Sequence, residues 1–405
     1  MRIPPTVLRL ARETGQLVTG NVGALAIGLV STVLITRALG EEARGIYAWV
    51  FTLQGLAAQV ATVVTYHAAR QLAARHGVAE WPVLLGTMVA LACVGTLLAT
   101  PLMAYGLLES TLGQHTQSLQ LVAYLVVPAA ALAAGASALL HTRGGWAPNM
   151  ASIMAQRVLL LGGTVGLIGV GALTVNAVVW VNALAILGAT ALTVWLLRLP
   201  LSGWRVSQRL AQELAGFLGA TWLAMLAVFA LPKMAILALG SSGQLAATGH
   251  YSVASTLMET ALIIPGLAGA VLITHFTRTQ SGPAGRRQAT LALVGAMLAV
   301  AIGGVVVAPW IIPLMFGKAF ASAVVPFQML MAAVVLAGMH QAWQSRLVAA
   351  HQRVAVVVPP VVGCAVAAVA SWAWVGPWGA MGAACATVVG YAVMAGLTYS
   401  LKGTS

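Results

Sequence analysis

Acidic side chains are scarce in this chain. Only seven of its 405 residues are acidic, and all seven are glutamate, because no aspartate occurs. Charged residues make up 7% of the chain and hydrophobic residues 60%, and the mean hydropathy is +0.95. So little polar material cannot cover a soluble globule of this length. The composition therefore excludes a soluble protein and predicts one that is embedded in a membrane.

Cysteine is also rare, and Cys93, Cys364 and Cys385 all lie in apolar stretches. Their spacing fits neither a disulfide framework nor a metal site, so we expect buried thiols. The sequence shows no metal triad, nucleophile pair or phosphate-cradling loop. The first apolar run, Leu17 to Leu39, is too long for the hydrophobic region of a cleavable signal peptide. We expect no enzyme, no metal, no catalytic residue and no cofactor, although coupling to H⁺ or Na⁺ stays open.

Long apolar runs fill most of the chain. A helix needs roughly 20 apolar residues to cross about 30 Å of hydrocarbon, so about twelve spans fit. The predicted spans are 14–38, 45–68, 82–107, 118–140, 150–171, 175–197, 214–239, 250–275, 289–314, 324–347, 355–374 and 380–401. Continuous runs favour helices over the short alternating strands of a barrel. The predicted fold class is an all-α polytopic membrane protein.

The same short sequence motif occurs twice, about 200 positions apart. Leu39-Gly40 precedes Gly45-Ile46-Tyr47-Ala48, and Leu239-Gly240 precedes Gly249-His250-Tyr251-Ser252. Duplicated helical halves are typical of transporters whose site lies on the axis between the halves. We therefore expect two pseudo-symmetric six-helix bundles, residues 1–198 and 214–405, around a central cavity. Residues 199–213 are expected to form an amphipathic cytoplasmic linker whose short helix lies at the membrane surface.

Basic residues are unevenly distributed among the connections between spans. With a cytoplasmic N-terminus, the inner face receives Arg2, Arg9, Arg12, Arg70, Arg75, Arg143, Arg198, Arg205, Arg209, Arg278, Arg286, Arg287, Arg353 and Lys402. The outer face receives only Arg44 and Lys318, with Arg37 near its border. The positive-inside rule thus predicts that both termini are cytoplasmic. The basic residues that give the chain its net charge of +13 form no continuous stripe. We therefore expect anionic membrane lipid, and not nucleic acid, as their partner.

Glu259 is the candidate coupling residue. A charge near the middle of a span costs roughly 2.5–3.5 kcal/mol, so few are retained without a role. At a 1.5 Å rise per residue Glu259 lies roughly 12–14 Å into its span. Ser252 and Ser255 share its helical face, and Ser252 is a candidate cavity residue. Glu259 is therefore predicted to bind a proton or a sodium ion, while a salt bridge or an interhelical hydrogen bond is the alternative.

Four cations are candidates for binding an anionic headgroup: Arg157, Lys233, Arg37 and Arg346. Arg157 is predicted to face a cavity together with Gln156, with snorkelling to the headgroups as the alternative. Lys233 follows Pro232, which predicts a kinked helix, and snorkelling is nearly as well supported. Arg346 lies close to the inner end of its span, which suits a role at the membrane interface better than one in a cavity. Arg37 lies three residues before the first turn, nearer to the end of its span. Because interior cations outnumber anions, a substrate bearing phosphate or pyrophosphate is indicated.

The second span carries neutral polar residues along one stripe. These are Thr52, Gln59, Thr62 and Tyr66. They could hydrogen-bond the hydroxyl groups of a sugar, or they could join neighbouring helices.

Four segments carry a resemblance to a known family. They are ITRALGEEARGIYAW (35–49), ATGHYSVASTLME (247–259), APWIIPLMFGKAFASAVVPFQML (308–330) and VGPWGAMGAACATVVGYAV (375–393). They are similar to signatures of bacterial polysaccharide flippases in the multidrug/oligosaccharidyl-lipid/polysaccharide (MOP) superfamily. The resemblance covers essentially the whole chain. It departs from the family at Lys233, where members often have an acidic residue.

The resemblance implies twelve helices in two bundles with a V-shaped central cavity. It also implies that a sugar repeat unit on undecaprenyl pyrophosphate moves from the inner to the outer leaflet of the bacterial cytoplasmic membrane. Alternating access is the expected mechanism. Polysaccharide polymerase and export proteins are possible partners.

Two other functions stay open. A multidrug or cation antiporter of the same superfamily would share the fold, although cationic cargo favours an acidic cavity. A polytopic glycosyltransferase or polymer ligase usually places catalytic groups in a sizeable external loop. The outer connections here are short, such as Glu109 to Gln117.

Overall fold

The computed structural model describes residues 5–108, 116–143, 146–198, 204–216, 220–278, 283–350 and 352–401, and most of the side chains within them. Arg2, Lys402 and residues 199–203 of the predicted linker lie outside the described residues, as does the side chain of Tyr66. The helices are α1 (Pro5–Leu39), α2 (Glu41–Arg75), α3 (Trp81–Leu108), α4 (Thr116–Thr142), α5 (Trp146–Gly169), α6 (Val175–Leu197), α7 (Gln208–Gly216), α8 (Ala220–Ser241), α9 (Leu245–Arg278), α10 (Pro283–Phe316), α11 (Val324–Ala349) and α12 (Arg353–Leu401). Two short 3₁₀ helices, Val78–Glu80 and Lys318–Ala323, precede α3 and α11.

The predicted all-α membrane fold is confirmed. Nine helices in the described part of the chain contain stretches long and apolar enough to cross a membrane. α12 holds two of the predicted spans, because its backbone leaves the helical region at Gly379, where φ is 53° and ψ is −131°. Such a φ favours glycine, which has no Cβ to clash. With α12 counted as two segments and the short α7 set aside, the described helices supply twelve long segments.

The chain divides into two compact units. The first contains Met1–Leu39 and Leu53–Leu218, and the second contains Gly40–Thr52 and Gly219–Ser405. The first third of α2 therefore belongs to the second unit. The predicted bundles, residues 1–198 and 214–405, place all of α2 in the first bundle. An apolar pattern does not report which neighbour a helix end contacts. The central cavity stays a prediction.

Two glycines of the duplicated motif bring the start of α2 against the start of α9. A Cβ built on Gly45 would lie 2.0 Å from the carbonyl oxygen of Leu245, and one on Gly249 would lie 2.2 Å from that of Glu41. The contact is reciprocal, since each glycine meets the residue four positions before the other. The repeated glycines thus mark a place where two backbones touch within the second unit.

The linker helix α7 packs against the first unit. Leu210 and Leu214 are buried in a cluster that includes Trp81 and Leu84 of α3. The backbone N–H of Ser207 also donates a hydrogen bond to Thr87 Oγ1 at 3.0 Å. A helix in the linker was predicted, but its apolar residues were expected to face lipid. Leu210, an apolar residue of the predicted linker, is instead covered by the apolar surface of α3 and α4. Leu214, the first residue of the predicted span 214–239, is covered by it as well.

Candidate functional site

Two of the predicted site residues form an ion pair in the second unit. Lys233 Nζ on α8 donates to both carboxylate oxygens of Glu259 on α9, at 2.6 and 2.7 Å. Ser255 Oγ donates to Glu259 Oε1 at 2.9 Å. The side chain of Lys233 is 16% exposed and that of Glu259 is 35% exposed. The candidate headgroup cation and the candidate coupling carboxylate therefore lie in one site, joined by the salt bridge that the sequence left open.

The position of Lys233 follows from α8. The helix is continuous from Ala220 to Ser241, although Pro232 lies inside it. Proline has no N–H, so the carbonyl group one turn earlier, at Val228, loses its usual helical hydrogen bond. The Lys233 ammonium lies 5.9 Å from the centre of the Phe229 ring, one turn before it. This cation–π distance indicates that the lysine stem runs back along α8, and the hydrogen bonds to Glu259 place the ammonium group beside α9.

Arg157 lies in the first unit, on α5, and packs against α1. Its Cζ and Nη1 atoms are both 3.6 Å from the place that a Cβ on Gly28 would occupy. The side chain is half-buried. The guanidinium group thus lies over a glycine, where the backbone of α1 leaves room for it. Its binding of an anion stays a prediction.

Gln156 lines a small cavity inside the first unit. The cavity has a volume of about 200 Å³ and lies among α4, α5 and α6. Ser152, Thr190 and Thr193 also line it. The hydroxyl groups of Ser152 and Thr193 contact each other, and both lie within hydrogen-bond distance of the Ala189 carbonyl oxygen, at 3.0 and 2.6 Å. Sequence reasoning missed Thr190 and Thr193, although two threonines three positions apart in an apolar span were a usable signal.

The remaining predicted site residues are not among the described hydrogen-bond partners of the Lys233–Glu259 pair. Arg37 is exposed near the end of α1, and Gln59 is half-buried in α2. Ser252 is buried and donates to the Gly249 carbonyl oxygen at 2.8 Å, so its hydroxyl group is engaged with its own helix. Arg346 Nη2 on α11 donates to Thr290 Oγ1 on α10. Each stays a predicted site residue with no ligand contact described.

Arg44 is a buried cation that sequence reasoning missed. It was expected on an outer connection, but it is only 5% exposed. Its guanidinium carbon lies 5.2 Å from the centre of the Tyr47 ring. Beside this segment, Glu41 and His250 approach to 3.2 Å. Arg44 is buried because the first turn of α2 packs into the second unit, which the spacing of charges does not reveal.

No protein family model and no curated protein sequence matches the chain. Solved structures do match it. An inward-facing multidrug resistance MATE family transporter of the MOP superfamily is 13% identical, with a TM-score of 0.74 and 94% of each chain covered. The lipid II flippase MurJ, in an inward closed conformation, is 10% identical, with a TM-score of 0.77 over 95% of this chain and 87% of MurJ.

A third match is a MOP superfamily transporter from Pyrococcus furiosus, described as having a binding pocket of reversed polarity. It is 13% identical, with a TM-score of 0.60, over 97% of this chain and 94% of that one. These three neighbours are described as transporters or flippases. At such identities the likeness shows the fold. The chain is a multi-pass membrane protein with the fold of MOP superfamily transporters.

Proposed function

We propose that this protein is a flippase for an undecaprenyl-pyrophosphate-linked oligosaccharide, working by alternating access and coupled to H⁺ or Na⁺. One observation carries the proposal. The nine apolar helical stretches found among the described residues contain no acidic residue, but they contain five basic ones. These are Arg37, Arg157, Lys233, Lys318 and Arg346. Arg157 and Lys233 lie well inside their stretches, where cations are costly to retain, and binding of an anionic headgroup is a function that would retain them.

The structural neighbours support a lipid-linked substrate. One of them is a lipid II flippase, so the fold is compatible with moving a lipid that carries a large polar head. Another is described as having a binding pocket of reversed polarity, which indicates that the charge of the pocket varies on this fold. Membrane lipids and polysaccharide polymerase or export proteins belong to the proposal as partners. The proposal also includes a location in the bacterial cytoplasmic membrane, with both termini in the cytoplasm.

The residues take the following proposed roles. Arg157 binds the pyrophosphate through two parallel N–H groups, which suit phosphate oxygens better than a lysine does. Lys233 is a second cation for the same headgroup, and Glu259 binds the coupling ion. Gln156 and Gln59 offer amide groups to sugar hydroxyls, and Arg37 and Arg346 act near the ends of their helices.

A cation antiporter is the second candidate. The fold likeness to a MATE transporter favours it. However, Glu259 is already paired with Lys233, so a cationic drug would have to displace an ammonium group from the carboxylate. None of the three neighbours is described as a glycosyltransferase or ligase.

Replacing Arg157 tests the proposal in a strain in which this chain is the only exporter of the repeat unit. Arg157→Ala should abolish surface glycan while the amount of protein in the membrane stays normal, because the headgroup loses its bidentate partner. Arg157→Lys should restore part of the export, since it keeps the charge but not the fork of donors. Arg209→Ala is a matched control, because Arg209 is 82% exposed on α7. Normal export by Arg157→Ala would refute the proposed function.

A further inference from the structure

We propose that the Lys233–Glu259 pair couples the binding of an anion to the binding of a monovalent cation in the same conformation. In this proposal the pyrophosphate of the substrate binds the Lys233 ammonium group, which leaves Glu259. A proton or a sodium ion then binds the carboxylate in place of the lysine. The inference rests on the proposed function, because it takes a pyrophosphate as the anion. It adds that neither ligand binds well at this site without the other.

The geometry makes the two ligands interdependent. Lys233 Nζ lies 2.6 and 2.7 Å from the two oxygens of Glu259, so the ammonium group serves both of them. A pyrophosphate that approaches Lys233 must compete with that carboxylate for the same N–H donors. Once the lysine turns away, Glu259 keeps one described hydrogen bond, from Ser255 Oγ at 2.9 Å.

The energetics follow from the low dielectric of a helical bundle in lipid. A charge in this setting that loses its partner is destabilised, and more so the less it is exposed, whereas a new partner of the same sign restores the balance. Anion binding at Lys233 is therefore unfavourable until a cation neutralises Glu259. By thermodynamic reciprocity, the cation must raise the affinity for the anion by the same factor as the anion raises the affinity for the cation.

The side chains suit this exchange. Glu259 is 35% exposed, so protein does not fully cover its side chain, which the exchange of the lysine for a small cation requires. Ser255 Oγ beside it supplies another oxygen, and oxygen is the ligand atom that hard cations prefer. Lys233 has a flexible four-carbon stem and a single point charge, so it can turn from the carboxylate to a phosphate oxygen. The titratable groups near Glu259 among the described residues are Lys233 on α8, Tyr251 on α9 and Tyr391 on α12.

Co-binding has a consequence for the direction of transport. If the anion and the cation occupy the site in the same conformation, they cross the membrane in the same direction. The inference therefore predicts symport of a cation with the pyrophosphate head, and it excludes an exchange in which the cation binds only after the anion has left.

The test uses the purified full-length protein and farnesyl pyrophosphate as the probe, with binding measured by calorimetry. Sodium is varied at fixed pH with choline as the replacement, and pH is varied without sodium, so the two arms separate Na⁺ from H⁺. In the wild type, the affinity for the probe should rise about 10-fold as one of these cations is added, which lies within the usual range of coupling between sites. In Glu259→Gln, the probe should bind tightly without either cation, because Lys233 no longer has a competing carboxylate. Glu213→Gln, a change on the linker helix, should keep the wild-type cation dependence.

The outcomes separate the two hypotheses. Probe binding that is independent of both cations in the wild type would overturn the coupling but leave the flippase proposal intact. The wild-type measurement decides this even if Glu259→Gln fails to fold. Cation-independent binding of equal strength in the wild type and Glu259→Gln would assign the pair a purely structural role. No binding of the probe under any condition would overturn the proposed function as well.

Discussion

At the scale of single residues, glycines decide where helices and charged groups can meet. Gly45 and Gly249 let two backbones touch, and Gly28 leaves room for the guanidinium group of Arg157. The sequence singled out Lys233, Glu259 and Arg157 because each is a charge in an apolar span. It could not show that the first two pair, because helical periodicity tells which residues share a face and not which face lies opposite.

Gly249→Ala should lower the stability of the protein. The new Cβ would lie 2.2 Å from the carbonyl oxygen of Glu41, which is backbone and cannot turn away. Overpacking of this kind costs about 1–3 kcal/mol, so the midpoint of thermal unfolding in detergent should fall. Gly303→Ala on α10 is the matched control, because its Cβ would meet nothing within 4 Å. Equal midpoints in the two variants would show that the α2–α9 contact is not tight.

Gly28 tests whether the position of Arg157 matters as well as its charge. A Cβ at Gly28 would lie 3.6 Å from the guanidinium group, which is an ordinary contact, so Gly28→Ala should export glycan normally. Gly28→Leu should displace the guanidinium group and reduce export, although Arg157 is still present. Membrane levels and unfolding midpoints of both variants serve as the control. Normal export by Gly28→Leu would mean that headgroup binding does not require this placement.

At the scale of elements, the helices were largely predictable and their docking was not. The thickness of the hydrocarbon layer fixes the length of an apolar run, so the long segments could be counted from the sequence. The break at Gly379 also falls between the predicted spans 355–374 and 380–401. The docking of α7 was not predictable, because an amphipathic helix has the same pattern whether lipid or protein covers its apolar face. The same limit applies to the first third of α2.

Leu214→Ala tests the docking of α7. Leu214 is fully buried in the cluster with α3, so its truncation should cost about 2–5 kcal/mol and lower the midpoint of thermal unfolding. Val206→Ala is the control, because Val206 is 65% exposed in the same linker and should change the midpoint little. If α7 lay on lipid instead, the two substitutions would have similarly small effects.

At the scale of the whole molecule, the proposal that this chain does not carry cations rests on its charge. Its fold is shared with MATE transporters and with a lipid II flippase, so fold alone does not select a substrate. The described apolar stretches hold five basic residues and no acidic one, and the carboxylate in α9 is matched by Lys233. The sequence could predict this excess of cations because it depends on composition. It could not predict the nature of the cargo beyond its charge, since the sugar contacts depend on how neutral groups such as Gln59 and Gln156 are placed.

The central claim is that this protein moves a lipid with an anionic head across a membrane. The most direct test reconstitutes the purified chain in liposomes and measures translocation of a fluorescent polyprenyl-pyrophosphate glycan, with a lipophilic cationic dye as the competing substrate. The wild type should translocate the glycan lipid but not the dye, and Arg157→Ala should translocate neither. Transport of the dye without the glycan lipid would contradict it and would identify a cation antiporter.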